Sequence, residues 1–324
     1  MIVTHAVEST NLARNLLGNP HRRDLAIYLP PGYATSSERR YPSVYLLHGF
    51  SSRSTSWGLG PALAFGALMP PLEQLLDEAI AEKRMAEMIV VMPDGWSRFG
   101  CSMWVDSPVT GAFEQYVTRE LVAYVDSHFR TIATPEARAI TGYSAGGFGA
   151  WHLGSRNPDV FGTMAVLSGG GNYQARTQAT FYRYFDSIYP REPDGPRPGN
   201  IDSWFSYAQP AAFAPNPDRP PFYGDFPFEY PSGDVVPGVW DRWLAFDPTL
   251  NWESRQDNLR RLRGILLDVG SQDELGLQYA HRILSRRIGA AGIRHEAREH
   301  DGTHTSHLRE RVTLACGWLS DHLR

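Results

Sequence analysis

Short apolar runs alternate along the chain with longer segments in which apolar residues recur at helical spacing. A short continuous apolar run that stops at a turn signal is typical of a buried strand, and a helical period is typical of an amphipathic helix. The apolar runs predict strands at residues 25–29, 44–47, 88–92, 139–141, 164–167, 265–269 and 293–298. The helical spacing predicts helices at residues 72–85, 113–129, 146–155, 275–288 and 306–323.

Strands that alternate with helices favour an α/β fold with a mostly parallel sheet and helices on both faces. The 324 residues are enough for one large domain with an insertion or for two modest domains, and we favour a single domain, 1–324. Residues 171–250 are rich in Pro, Asp, Gly and aromatic residues and show no strong period, so we expect an irregular segment. This segment is interpreted as a cap over a site at the carboxyl ends of the strands, or as a structural insertion that packs its aromatic residues on a small core of its own.

Composition excludes several classes of protein. The formal net charge of −4 and the absence of basic runs give no case for binding to nucleic acid or to a membrane surface. The two cysteines are too few for a disulfide framework or a cysteine-rich metal site. The first residues lack the pattern of a signal peptide, so the expectation is a soluble cytoplasmic protein. The oligomeric state stays open, with a homodimer as one option.

The run Gly142-Tyr143-Ser144-Ala145-Gly146 has the spacing Gly-x-Ser-x-Gly between a predicted strand and a predicted helix. This context is typical of a nucleophile elbow, a tight turn in which small residues two before and two after the serine prevent collisions. The alternative is an ordinary glycine-rich turn. The sequence therefore predicts Ser144 as a nucleophile, with the N-terminus of the next helix beside it.

A nucleophilic serine requires a base and an acid that orients the base, and in chains of this type they follow in the order serine, acid, histidine. The strand at 265–269 leads into a loop that contains Asp273, which we favour as the acid. A helix N-cap is the structural alternative for Asp273. Asp268, within the strand, is the rival acid, whereas Glu274 begins the next helix.

Three histidines lie in the loop between the last strand and the last helix: His300, His304 and His307. His304 follows Gly302 at the loop tip and is the favoured base, with the other two as alternatives. A metal site is the competing interpretation of this cluster. No carboxylate accompanies these histidines at the spacing of a zinc motif, so no metal is predicted.

An oxyanion hole requires two N–H donors. Ala145 follows the nucleophile, and Phe50 follows the strand at 44–47 and the pair His48-Gly49, so their backbone amides are the predicted donors. His48 is interpreted as a structural residue, because it precedes the nucleophile.

Aromatic residues in loops at the carboxyl ends of the strands are candidates for substrate contact, because these loops converge on one edge of the sheet. The candidates are Trp57, Trp104 and Tyr143. The alternative for tryptophan is burial in the core, which removes a large apolar area from water.

Several motifs together resemble the esterase D-like "putative esterase" family, which includes feruloyl and acetylxylan esterases, S-formylglutathione hydrolase, enterochelin esterases and mycolyltransferases. The resemblance covers about residues 20–170 and 260–324. Departures are Thr303, where the family often has a second glycine, His307, where a tryptophan is frequent, and the long insertion. The motifs are Leu29-Pro30-Pro31-Gly32-Tyr33, Tyr41-Pro42, Leu46-Leu47-His48-Gly49, Pro93-Asp94-Gly95, Thr141-Gly142-Tyr143-Ser144-Ala145-Gly146-Gly147 and Gly302-Thr303-His304.

The resemblance implies an α/β-hydrolase fold and a serine carboxylesterase that acts on a small-molecule ester through an acyl-enzyme. Neither a metal nor an organic cofactor is needed for this chemistry. The aromatic insertion favours short-chain or aryl esters over long lipids. The alternatives are an acyltransferase on the same triad, a small amidase or peptidase, and a non-catalytic binding protein with the hydrolase fold.

Overall fold

The computed structural model describes residues 1–57, 70–188 and 201–323. The strands in these residues are β1 (Ile2–Glu8), β2 (Arg22–Tyr28), β3 (Ser43–Leu47), β4 (Ile89–Met92), β5 (Asp106–Ser107), β6 (Gly111–Ala112), β7 (Arg138–Tyr143), β8 (Thr163–Leu167), β9 (Gly264–Gly270) and β10 (Glu296–His300). The helices are α1 (Leu72–Ala81), α2 (Phe113–Gln115), α3 (Val122–His128), α4 (Ala145–Arg156), α5 (Tyr173–Ile188), α6 (Ile201–Phe213), α7 (Pro237–Leu244), α8 (Pro248–Asn251), α9 (Gln256–Arg261), α10 (Leu277–Ala290) and α11 (Leu308–His322). A π-helical segment, Tyr116–Leu121, joins α2 to α3.

Eight of these strands form one sheet in the order β1-β2-β4-β3-β7-β8-β9-β10. The pairs β1–β2 and β2–β4 are antiparallel, and every later pair in this order is parallel. The parallel strands place their carboxyl ends at one edge of the sheet, where ligands bind in folds of this class. The loops after β3, β7, β9 and β10 all leave from that edge.

Side chains of the sheet alternate between two apolar clusters, one on each face. Tyr45 and Leu47 of β3 belong to the larger cluster, together with apolar side chains of α4 and α10. Val44 and Leu46 belong to the smaller cluster, together with side chains of α1 and α11. Helices therefore cover both faces, which explains why the central strands are buried throughout and read as continuous apolar runs. The predicted fold class is confirmed.

Two strands at the ends of the sheet differ from the prediction. β10 spans Glu296–His300 rather than residues 293–298, so His295 precedes the strand. β1 was not predicted from the sequence. Each of these strands has a neighbour on only one side in this sheet, and most of their side chains remain exposed or half-buried. An edge strand of this kind lacks the apolar run by which the central strands were recognised.

The segment 171–250 contains α5, α6, α7 and the start of α8 within its described residues, so the irregular conformation predicted for those parts is corrected. Residues 189–200 of this segment lie outside the described residues. The helices were not predicted because Pro, Asp and Gly are frequent in this segment and because Pro210 lies inside α6. No helix in the described ranges combines the length and the apolar character needed to cross a membrane.

A buried ionic cluster ties the first turn of α2 to the end of α4. The Glu114 carboxylate accepts hydrogen bonds from Arg156 at 2.9 Å and Asn157 at 3.0 Å, and it lies 3.3 Å from His152 Nε2. Burial alone raises the pKa of Glu114, but the hydrogen bonds from His152, Asn157 and Arg156 outweigh it and lower the pKa to about 2. Burial lowers the pKa of His152 to about 4 despite the neighbouring carboxylate.

Acid is expected to destabilise the fold through this cluster. In the unfolded chain His152 takes up a proton near its ordinary pKa of 6.5, whereas in the folded chain it does so only near its lowered pKa of about 4. The free energy of unfolding therefore decreases as pH falls from 6.5 to 4. The stabilisation by the Glu114 carboxylate is complete above its ordinary value of 4.5 and disappears as pH falls toward 2. Urea denaturation at a series of pH values measures the effect. In His152→Gln the free energy of unfolding should depend less on pH between 6.5 and 4. An unchanged dependence on pH would contradict the role given to His152.

Candidate active site

The turn between β7 and α4 has the backbone of a nucleophile elbow. Ser144 occupies a strained conformation, with φ 58° and ψ −117°. Its N–H donates to the Leu167 carbonyl oxygen at 2.9 Å, which fixes the turn to the neighbouring strand β8. A Cβ on Gly142 would collide with the Gly146 carbonyl, and a Cβ on Gly146 would collide with the Leu47 carbonyl. Glycine is therefore required at both positions, as the motif predicts.

The His304 imidazole bridges the two other predicted catalytic groups. Its Nε2 lies 2.9 Å from Ser144 Oγ, and its Nδ1 lies 2.8 Å from Asp273 Oδ2. The His304 and Asp273 side chains are both almost fully buried. A serine, a histidine and a carboxylate in this sequence of contacts can move a proton from the hydroxyl to the imidazole.

Asp273 is held as a carboxylate by its contacts. Burial raises its pKa, but the hydrogen bond from His304, the charge of that imidazole and the Leu275 amide outweigh burial, so the pKa lies below its ordinary value. The Leu275 N–H donates to Asp273 Oδ1 at 2.9 Å. Backbone hydrogen bonds from Ser271 and Gln272 to the carbonyls of His300 and Gly302 join the acid loop to the histidine loop.

The alternative acid and the alternative bases do not contact Ser144 or His304 through their side chains. Asp268 accepts from Arg311 Nε of α11 at 2.8 Å, so its carboxylate is committed to a buried ion pair rather than to His304. His300 ends β10 and faces Asp268 with 3.8 Å between Nδ1 and Oδ1. His307 adopts a left-handed conformation just before α11 and is exposed. In the described parts of the chain, no group of three or more His, Cys, Asp or Glu side chains is arranged to hold a metal ion.

The loop after β3 passes beside the elbow. A Cβ on Gly49 would lie 3.5 Å from Ser144 Cβ, so the loop backbone approaches the serine closely. The Gly95 N–H donates to His48 Nε2 at 2.8 Å, which leaves the ring proton on Nδ1, and Nδ1 lies 2.8 Å from the Gly49 carbonyl oxygen. His48 thus fixes the peptide between Gly49 and Phe50. Ala145 is the first residue of α4, so its N–H has no acceptor one turn earlier in that helix.

The three aromatic residues predicted to contact substrate are buried. Trp104 has no exposed surface, and its indole N–H donates to the His48 carbonyl at 3.3 Å, beneath the loop after β3. Trp57 is buried and ends a short 3₁₀ turn that precedes residues 58–69, which lie outside the described residues. Tyr143 is also buried and donates its hydroxyl proton to the His304 carbonyl at 2.7 Å. The burial of Trp104 matches the alternative given for it, because its ring fills the space above Gly95 and Gly149.

Two residues of the 171–250 segment that were not predicted from the sequence connect this segment to the loop after β3. The Phe205 ring of α6 packs edge-on against the Phe50 ring, with centroids 5.0 Å apart at 68°. The Arg176 guanidinium of α5 lies 5.9 Å from the centre of the Phe205 ring. The aromatic density of the segment was the sequence signal for Phe205, whereas the sequence pattern did not mark Arg176. The contacts nevertheless connect helices of the segment to a predicted oxyanion residue.

Comparison with known proteins places this chain in a family. The sequence matches the family described as "Putative esterase" over residues 19–311, most of the chain. The chain belongs to this esterase family. Among solved structures, a ferulic acid esterase superposes with a TM-score of 0.65 at 19% identity, over 100% of this chain and 98% of that one. An S-formylglutathione hydrolase from Agrobacterium tumefaciens superposes with a TM-score of 0.61 at 18% identity, over 100% and 96% of the two chains. At these identities the likeness shows a shared fold.

Curated esterase relatives match the chain over a shorter part. A protein from Xylanibacter ruminicola named endo-1,4-beta-xylanase/feruloyl esterase is 33% identical over 150 residues, which are 44% of this chain and 19% of that protein. Esterase Rv1288 from Mycobacterium tuberculosis is 30% identical over 151 residues, 44% of this chain and 28% of that protein. The matches thus span less than a third of these two relatives.

Proposed function

We propose that this member of the esterase family is a serine carboxylesterase in which Ser144 is the nucleophile, His304 the base and Asp273 the orienting acid. The observation that carries the proposal is the imidazole, with one nitrogen 2.9 Å from the serine oxygen and the other 2.8 Å from a carboxylate oxygen. A buried histidine with both nitrogens engaged in this way has the geometry of a general base poised to activate a hydroxyl. Family membership supports a carboxylic ester as the substrate.

The reaction follows from these contacts. Ser144 Oγ attacks the ester carbonyl carbon while its proton passes to His304 Nε2, and the imidazolium that forms is stabilised by the Asp273 carboxylate. The tetrahedral intermediate collapses, the C–O bond to the alcohol breaks, and His304 returns the proton to the departing alkoxide. Water then loses a proton to His304 and attacks the acyl-enzyme, which releases the acid and restores Ser144.

The proposed oxyanion hole consists of the backbone N–H groups of Phe50 and Ala145. His48 Nδ1 donates to the Gly49 carbonyl, and in a trans peptide the N–H points to the side opposite the carbonyl. The Phe50 N–H is therefore turned away from His48. The Ala145 N–H adds the positive end of the α4 dipole beside Ser144. Two preorganised donors of this kind stabilise the oxyanion with little reorganisation during the reaction.

We also propose that residues 171–250 form a cap within the single domain 1–324 and limit the space available to the acyl group. The support is the contact of Phe205 with Phe50, which brings an aromatic ring of α6 against the proposed oxyanion loop. An aromatic wall offers contact area to a short acyl chain or an aryl group, whereas a long lipid requires an extended aliphatic groove.

Acyl chain length tests this proposal. We expect kcat/KM for p-nitrophenyl esters to be highest for short chains and to fall beyond about eight acyl carbons, as a pocket of ordinary volume fills. Methyl ferulate and acetylated sugars, assayed beside the series, show whether aryl or sugar esters are preferred. Phe205→Ala should extend the accepted chain length, whereas Tyr182→Ala, at an exposed aromatic residue of the same segment, should leave the profile unchanged. A maximum at palmitate, or activation at an oil interface, would contradict the proposed specificity.

A further inference from the structure

The backbone of His304 is held as firmly as its ring. The Tyr143 hydroxyl donates to the His304 carbonyl oxygen at 2.7 Å, and the His304 N–H donates to Glu274 Oε2 at 2.9 Å. The ring nitrogens contact Ser144 and Asp273. All four polar groups of this loop residue therefore have side-chain partners. A residue in a loop is free to move unless such contacts fix it.

The two backbone partners are the sequence neighbours of the two ring partners. Tyr143 immediately precedes Ser144 at the end of β7, and Glu274 immediately follows Asp273 in the loop after β9. Each of these segments therefore contacts both the ring and the main chain of His304. Such paired contacts fix both the position of the imidazole between Ser144 and Asp273 and its tilt.

The position of Tyr143 fits this role better than substrate contact. Its side chain is only 3% exposed, and its ring centroid lies 5.0 Å from that of the imidazole, with 38° between the planes. The ring packs against one face of the imidazole while the hydroxyl reaches the carbonyl of the same residue. Glu274, by contrast, is exposed, so its contact with the His304 N–H must compete with water.

We propose that Tyr143 and Glu274 are positioning residues, which clamp the main chain of His304 so that its ring spans Ser144 and Asp273. This inference rests on the proposed function, because it assumes that His304 is the base. Catalytic geometry is sensitive to small displacements, since a shift of about 1 Å can cost about a hundredfold in rate. The clamp should therefore act on kcat and leave substrate binding unchanged.

Tyr143→Phe tests the first half of the clamp, because it keeps the ring and removes only the hydroxyl. We expect kcat per active site to fall about tenfold, with KM unchanged, because the His304 carbonyl loses its buried donor. Titration with a serine-directed phosphonate counts the active sites, so partial unfolding does not mimic the effect. Tyr28→Phe is the control, because it removes another buried tyrosine hydroxyl, bonded at 2.6 Å to Asp77. Equal kcat in wild type and Tyr143→Phe would overturn the role of Tyr143.

Glu274 is tested with two variants. Glu274→Ala removes the acceptor, whereas Glu274→Gln keeps an acceptor oxygen and removes only the charge. Positioning predicts that alanine lowers kcat about fivefold and that glutamine restores most of it. Glu296→Gln is the control, because Glu296 accepts the Trp318 indole N–H at 2.8 Å and lies at the start of β10, at the opposite end of this strand from the loop with His304. Glutamine as impaired as alanine would overturn the positioning role of Glu274, since the charge and not the hydrogen bond would then matter.

Ser144→Ala in the same assay distinguishes a failure of the proposed function from a failure of the clamp. If Ser144→Ala remains active, the proposed function fails and the clamp fails with it. If Ser144→Ala is inactive while Tyr143→Phe and Glu274→Ala retain wild-type kcat, only the clamp is wrong. A further readout is the far-downfield proton signal of the His304 Nδ1–H, which should weaken or move upfield in both clamp variants and stay unchanged in the two controls.

Discussion

Ser144→Ala is expected to reduce kcat for ester hydrolysis by a factor on the order of 10⁴ to 10⁶, because a triad without its nucleophile retains only binding and oxyanion stabilisation. The hydroxyl removed is the one that lies 2.9 Å from His304 Nε2. Alanine keeps the Cβ and imposes the same constraint on the positive φ of 58°, so the fold should be preserved. The measurements are kcat with p-nitrophenyl acetate and the circular dichroism spectrum.

Ser43→Ala provides the control for this substitution. Ser43 is a fully buried serine and the first residue of β3. It lies at the amino-terminal end of the parallel strands, whereas the elbow lies at their carboxyl end. Its loss should change stability slightly and leave kcat as in the wild type. Retention of more than a tenth of the activity in Ser144→Ala, with an unchanged spectrum, would refute the assignment of the nucleophile.

The elbow was predictable because its determinants are local. A strand, a serine and a helix follow each other within a few residues, and Gly142 is required by the Gly146 carbonyl of the same turn. Gly146 is required by the Leu47 carbonyl of β3, which is distant in sequence, but the Gly-x-Ser-x-Gly spacing already marks that position. The same holds for the central strands, whose burial on both faces makes them continuous apolar runs.

The choice between Asp273 and Asp268 depends on contacts that are distant in sequence. Both residues lie at or near the end of β9, and the sequence favoured Asp273 only by its place in the loop. In the fold, Arg311 of α11 binds Asp268, while the loop after β10 brings His304 to Asp273. A pairing across more than thirty residues is visible only after the chain has folded.

The surroundings of the site were the least predictable part. Trp104 was expected at the mouth, yet it lies beneath the loop after β3, in a turn where both Met103 and Trp104 have positive φ. Nothing in the local pattern marks such a left-handed turn, because neither residue is glycine, asparagine or aspartate. The contact between Phe50 and Phe205 likewise joins residues that are far apart in sequence.

His304→Ala and Asp273→Asn are expected to show the next largest losses, in that order. Removal of the base should cost on the order of 10⁶ in kcat, about as much as removal of the nucleophile. Asp273→Asn should cost about 10⁴, because the asparagine amide would favour an imidazole that carries its proton on Nε2, where it can no longer accept the Ser144 proton. Both variants are measured with the substrate and circular dichroism controls used for Ser144→Ala.

The rival residues supply matched controls for these two variants. Asp268→Asn weakens the ion pair with Arg311, so it should lower the free energy of unfolding while kcat stays within a few-fold of the wild type. His300→Ala and His307→Ala should also be mild, since neither ring contacts Ser144 in the structure. If His300→Ala or His307→Ala inactivated the enzyme while His304→Ala did not, the base would be another member of the histidine cluster. If Asp268→Asn lowered kcat more than Asp273→Asn, Asp273 would not be the orienting acid. The contact between Asp273 and His304 in the structure would then not be the contact present during the reaction.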